Sequence, residues 1–206
     1  AAETIRKMLF AMARDIRVET GTESGELVVH VRYPAQRSIH IGFWDLFHDF
    51  DVPSAEAWIG LEVPAGLALA VRSSSGDIES DGVEGDQRLD STSGDVQVSA
   101  ATGFVTINTT SGDIEASGVG RIRVRTVSGD AALTSVRGPV DAHTTSGDLT
   151  IQGASDSLTL GTVSGDMTVM GAARGMSANS TGGEIHVERA SGRVALISSS
   201  GSIEAG

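Results

Sequence analysis

The tripeptide Ser-Gly-Asp returns along this chain at an almost fixed interval, with its acid at Asp77, Asp95, Asp113, Asp130, Asp148 and Asp166. The spacings are 18, 18, 17, 18 and 18 residues. The register runs on to Glu184 and then to Ser202, so eight copies exist, two of them with a decayed turn signature. A repeat of this length cannot bury an inner face alone, and stability has to come from stacking copies on one another. One residue after the acid the column reads Ile78, Val96, Ile114, Ala131, Leu149, Met167, Ile185 and Ile203, and two further on Ser80, Val98, Ala116, Leu133, Ile151, Val169, Val187 and Ala205. Polar residues such as Glu79, Gln97 and Glu115 lie between them, which is the period-two alternation of a strand. A second apolar pair lies eight and six residues before each acid, for example Val105 and Ile107 before Asp113. Each copy therefore carries two strands. The expected fold is mainly β: a flattened β-solenoid, or single-stranded β-helix, of about eight 18-residue coils, about 34 Å long at about 4.8 Å per coil. The uneven spacing of the columns speaks against a triangular helix with an aliphatic every six residues.

Composition agrees with turns and strands. The 206 residues include 26 glycines, 25 serines and 17 threonines, yet aliphatic residues remain abundant enough for a core. Lys7 is the only lysine and the formal net charge is -12, so nucleic acid and anionic membrane surfaces, which need clustered cations, are not expected partners. Absence of cysteine excludes disulfides and thiolate chemistry. No apolar run reaches the roughly 18 residues of a membrane span.

Seven of the eight aromatics lie in the first 58 residues, leaving Phe104 alone beyond them. A separate N-terminal cap is expected over residues 1–70, ahead of a solenoid over 71–206. Within it Ile5, Met8, Leu9 and Met12 follow helical spacing and predict an amphipathic helix from about Glu3 to Ala13. Ile16–Val18 and Leu27–Tyr33 read as a hairpin around Gly21–Gly25, and strands are expected over Ala57–Val63 and Leu67–Val71. His40 and His48 with Asp45, Asp49 and Asp51 form a ligand-rich segment whose spacing fits no standard metal site. The chain starts without methionine and stops just after a strand-like segment, so trimming of its ends, and a targeting signal outside the sequence, are expected.

Ser73-Ser74-Ser75-Gly76-Asp77-Ile78, Thr109-Thr110-Ser111-Gly112-Asp113-Ile114 and Thr144-Thr145-Ser146-Gly147-Asp148-Leu149 resemble the bacterial adhesin-like β-strand repeat family, also called toastrack domains. The resemblance covers residues 57–206, and Asp15–Glu19 and Val31–Pro34 add a likeness to the leading part of such proteins. It implies a noncatalytic repeat domain of envelope-associated and stress-response proteins, often of unknown function. An extracytoplasmic or cell-envelope location follows from the same resemblance.

Several columns could carry chemistry. Six stacked aspartates could share calcium, which favours clustered oxygens, but Asp and Ser in turns ordinarily bond to nearby backbone N–H groups while Gly supplies unusual dihedrals. No metal and no cofactor is expected. The Ser/Thr column before each turn (Thr109, Thr126, Thr144 and their equivalents) has inward parity, with its hydroxyls bonding to one another or to backbone up the stack. Arg121, Arg123 and Arg125 alternate along one strand and should project outward as a cationic stripe able to grip an anionic glycan or a partner's carboxylates. The plainer reading is a solvated ladder, with Asp141 beside Arg123 and Asn108 beside Arg125. Glu79 and Glu115, about 9.6 Å apart at two coil spacings, lie near the inverting limit of a glycosidase pair, but acidic residues recur all over this surface and the coincidence has little force. The sequence thus favours a noncatalytic envelope scaffold or adhesin-like interaction module, and its rival is a polysaccharide-binding or polysaccharide-cleaving solenoid enzyme. Val194–Ile197 and Ile203–Ala205 run as apolar strand with no helix, proline or charge cluster to close the edge, so this C-terminal solenoid edge is expected to be covered either by sequence outside this chain or by another molecule, through self-association or a protein partner.

Overall fold

The computed structural model describes residues 7–11, 17–23, 26–32, 57–172 and 174–206. Among the described residues, four strands precede the repeats: β1 (Lys7–Ala11), β2 (Arg17–Glu23), β3 (Glu26–Arg32) and β4 (Ala57–Leu61). Each coil then gives two strands. The first of each pair are β5 (Leu69–Ser73), β7 (Gln87–Ser91), β9 (Phe104–Asn108), β11 (Arg121–Arg125), β13 (Val140–His143), β15 (Leu158–Thr162), β17 (Met176–Ser180) and β19 (Val194–Ser198). The second are β6 (Ile78–Asp81), β8 (Val96–Ser99), β10 (Ile114–Ser117), β12 (Ala131–Thr134), β14 (Leu149–Ala154), β16 (Met167–Ala172), β18 (Ile185–Glu188) and β20 (Ile203–Ala205).

The odd strands line up in coil order in a ten-stranded sheet, extended at its first end by β3 and β2, and the even strands form an eight-stranded sheet. Within the repeats every pairing is parallel and displaced by one coil, as in Val96↔Ile114↔Ala131. The fold is therefore a β-solenoid of about eight coils. The one short spacing, between Asp113 and Asp130, leaves this ladder intact because Arg121 still pairs with Phe104. The missing residue comes out of the turn between Gly118 and Arg121, where a loop can shorten without shifting side-chain parity.

The apolar columns meet between the two sheets. Leu89, Ile107, Leu133, Ile151 and Leu160 are fully buried there, each contributing about 1.5–3 kcal/mol on transfer from water. Two polar residues interrupt these columns, Ser80 and Gln87, and they answer each other: the Ser80 hydroxyl donates to Gln87 Oε1 at 2.6 Å. The bond satisfies only the oxygen of the amide: Gln87 Nε2 is buried without a hydrogen-bond partner among the described residues, and an unpaired buried donor costs about 1–3 kcal/mol.

Two expectations for the leading part change. β2 and β3 do pair antiparallel, but their ladder runs on to Glu23↔Glu26 and takes Gly21 and Thr22, expected in the turn, into strand. The helix expected over Glu3–Ala13 is not what the described part of that segment forms. Lys7–Ala11 is a strand paired antiparallel with Ala57–Leu61, a long-range ladder that overrides a short helical pattern. The remainder of that helix, and the His40 to Asp51 segment, lie outside the described residues. At the far end β19 and β20 pair on one side only among the described residues, and Ile197 is 62% exposed.

Candidate functional site

The Ser-Gly-Asp corner had first claim to chemistry, and its groups are committed to the fold. Thr144 Oγ1, buried, accepts from the N–H of Gly147 in its own turn at 2.9 Å, and the same bond recurs at Ser91, Thr109, Thr126, Thr162 and Ser180. These hydroxyls close their own turns; the expected bonds up the stack belong to the aspartates instead. Oδ1 of Asp77 accepts the backbone N–H of Asp95 at 2.9 Å, and the series continues coil by coil until Asp166 accepts from Glu184 at 2.7 Å. The glycine is also needed for another reason than dihedrals. None of the Ser-Gly-Asp glycines has a positive φ. A Cβ on Gly147 would lie 1.9 Å from the carbonyl oxygen of Gly129 in the preceding coil. Among the described residues no group of three or more His, Cys, Asp or Glu is arranged to hold a metal.

The arginine stripe lies on the outer face of the ten-stranded sheet, where β11 alternates out, in, out, in, out. The alternation buries Ile122 and Val124 and leaves Arg121, Arg123 and Arg125 outside, as expected. Arg123 Nε donates to Asp141 Oδ2 at 2.8 Å, and an Arg125 nitrogen stands 3.9 Å from the same oxygen. His143 Nε2 is 2.8 Å from the other oxygen of Asp141. Burial pushes the Asp141 carboxyl up, but the Arg123 hydrogen bond and the nearby positive charges outweigh it and hold the group below its ordinary value. Arg121 has no carboxylate within salt-bridge distance among the described residues. Its guanidinium instead lies over the Phe104 ring, 4.7 Å from the centroid, with that of Arg123 at 5.8 Å.

A second cluster adjoins the stripe. Asp90 accepts from Arg88 at 3.0 Å, from Arg72 at 3.4 Å and from the Asn108 amide at 2.7 Å. Burial raises this carboxyl too, and the Asn108 and arginine bonds more than reverse the shift. Strands β5 to β19 of this sheet thus carry five arginines and two aspartates, Asp90 and Asp141. The eight-stranded sheet carries the opposite sign: Glu79, Asp81, Glu115, Glu188 and Glu204 lie in its strands, without one Arg or Lys. Residues 72–206 as a whole hold nine arginines against 17 acids. Within the repeat strands positive charge is confined to one sheet, while Arg137, Arg174, Arg189 and Arg193 lie between strands.

Both expected neighbours of the stripe are in register, Asp141 opposite Arg123 and Asn108 opposite Arg125. Phe104, His143 and the Arg72–Arg88–Asp90 cluster were missed, although a one-coil shift already sets Arg72 beside Asp90 and Arg121 beside Phe104. Glu79 and Glu115 are aligned across Gln97 on the other face. No helix among the described residues is long and apolar enough to cross a membrane.

No curated protein and no solved structure matches the chain significantly. The family model described as Toastrack DUF4097 matches residues 51–194, most of the sequence and all of the stacked coils up to the start of β19. With its paired strands, committed turn aspartates and 18-residue register, the chain belongs to the toastrack family.

Proposed function

We propose that the protein is a noncatalytic scaffold of the cell envelope, an adhesin-like module that presents the arginine face as its interaction surface. The observation that carries this reading is the separation of charge between the two sheets. Arginines gather on one face around an aromatic ring, while the most repeated acid is committed to bonding the next coil. Glu79 and Glu115, which the enzyme reading would need, lie on the opposite sheet, away from the arginines and from Phe104. Placement in the envelope rests on the family resemblance alone.

A second contact belongs to the same reading: the edge at β19 and β20, paired on one side among the described residues and carrying exposed Val194, Ile197 and Ile203, is covered either by further chain or by another molecule, with end-to-end association the simplest form of the latter. Like charge on the modules works against long filaments, so a dimer is the expected product. Incubation with acidic and neutral glycans tests the main reading. Binding without new reducing ends is the expected result. Turnover abolished by Glu79→Gln or Glu115→Gln would replace the scaffold with a solenoid enzyme. Light scattering across concentration tests the second, since a particle that stays monomeric with a slowly exchanging last coil has no use for a partner there.

A further inference from the structure

The arginine face has a chemical pattern narrower than "anion-binding". Resting on the reading of that face as the interaction surface, we propose that it binds an acidic polysaccharide through carboxylates on its sugars, with Arg121 and Arg125 as the anion contacts and Phe104 as the stacking platform. Three features of the molecule lead there.

The first is which cations are available. Arg123 is tied to Asp141 at 2.8 Å, whereas Arg121 has no carboxylate within salt-bridge distance among the described residues and Arg125 only the loose 3.9 Å approach. Both are exposed and share one side of one strand, about 13 Å apart at about 3.3 Å per residue. Two planar forks held at that separation suit carboxylates on different residues of one extended polymer.

Secondly, the surface between and beside them suits a hydroxyl-rich ring. Phe104 is half-buried, its ring already covered by Arg121 from one side. Thr106 and Asn108 lie in register with Arg123 and Arg125, and Asp141 holds His143 and Arg123 in place. Small Thr159 and Gly161 follow on the next coil, where a Cβ on Gly161 would meet His143 Nδ1 at 2.5 Å. An aromatic ring flanked by amide, hydroxyl and carboxylate groups offers a saccharide both a stacking face and partners for its hydroxyls.

The third feature discriminates among polyanions. An acidic peptide gains affinity by pairing its backbone with a strand edge, but here the arginines stand on a sheet face whose strands are bonded on both sides. Nucleic acid needs several stacking rings and a long cationic track. Among the described residues this face has one phenyl ring beside the His143 imidazole, in a chain of net charge -12. A polysaccharide needs neither.

The test uses the full chain and measures binding by calorimetry at low salt to polygalacturonate, hyaluronan and polysialic acid, with methyl-esterified polygalacturonate, poly-glutamate and polyphosphate as comparisons. At least one carboxylated glycan should bind, weaken with salt, and lose about tenfold when Arg121 or Arg125 is changed to Gln, as expected for one charged hydrogen-bonding group. Phe104→Leu should cost about threefold to tenfold, and Arg174→Gln, an identical charge change off this face, less than about twofold. Unchanged thermal unfolding of each variant confirms that the loss is at the site. The proposal is overturned if no carboxylated glycan binds, if the arginine variants bind normally, or if poly-glutamate or polyphosphate binds as tightly and ignores Phe104→Leu. Cleavage of a glycan that still needs Arg121 and Arg125 would sink the noncatalytic reading and leave this saccharide site standing.

Discussion

The two corners of each coil both turn the chain and both favour glycine, for opposite physical reasons. At the Ser-Gly-Asp corner the glycine has an ordinary φ and no room, because the preceding coil's backbone lies where its Cβ would stand. At the other corner, a column running Gly82, Ala100, Gly118, Ser135, Gly153, Gly171 and Arg189 is left-handed throughout, with φ between 52° and 78°. Space is open there: the nearest atom to a Cβ on Gly118 is 3.8 Å away. One corner is limited by contact between coils and the other by the dihedral of a single residue. That difference explains why the first glycine is kept in all eight copies while the second column tolerates alanine, serine and arginine.

The largest expected effect breaks the first corner. Gly147→Ala drives a methyl group into the Gly129 carbonyl, which no side chain can relieve, and should cost about 3 kcal/mol or more in urea unfolding. A near-neutral result would mean that the coils separate easily. Next in size is Thr144→Val, which keeps the shape of the buried residue but leaves the Gly147 N–H without its acceptor. It should cost about 1–3 kcal/mol, and Thr144→Ser should restore most of the loss.

Substitution at the second corner should move stability much less, and in both directions. The left-handed conformation costs an L-residue about 1–2 kcal/mol and glycine loses about 0.5–1 kcal/mol of chain entropy, so the net difference is small. Gly118→Ala should therefore destabilise by about 0.5–1 kcal/mol, and Ala100→Gly should stabilise by a similar amount. Equal losses for Gly118→Ala and Gly147→Ala would erase the distinction between the corners.

The smallest effect is confined to the last coil. His186 Nε2 is 3.1 Å from Glu188 and Nδ1 is 3.3 Å from Glu204 on β20, and the Glu188 bond leads the causes that raise the imidazole above its ordinary value of 6.5. A raised folded-state value means that this contribution is full below 6.5 and disappears as pH climbs through the raised value. Amide protection of Ile203–Ala205, measured against that of β18, should fall on going from mildly acidic to mildly basic solution. The same fall in His186→Gln would show that the histidine is not its cause.

Much of the fold was legible because a repeat prints each structural requirement eight times. Column parity alone placed Ile107 and Leu133 inside and Arg121, Arg123 and Arg125 outside, and the register alone set Asp141 beside Arg123. Lys7–Ala11 was misread because a short apolar pattern is ambiguous by itself, and its pairing partner lies some 50 residues along the chain. The site was half legible for a related reason. Arginines on one strand are visible locally, but the ring under Arg121 and the second cluster at Asp90 belong to other coils.

The amino-acid order by itself determined the period, the two strands per coil, the identity of the core and the run of three alternating arginines on one strand. Tertiary structure decided what the repeated polar residues do. Whether an aspartate closes its own turn or bonds the next coil, and whether a glycine supplies a dihedral or makes room, depends on backbone atoms about 18 residues away that approach only when the coils stack. Local sequence carries no record of that approach, because the contact belongs to the pair of coils and to neither one alone.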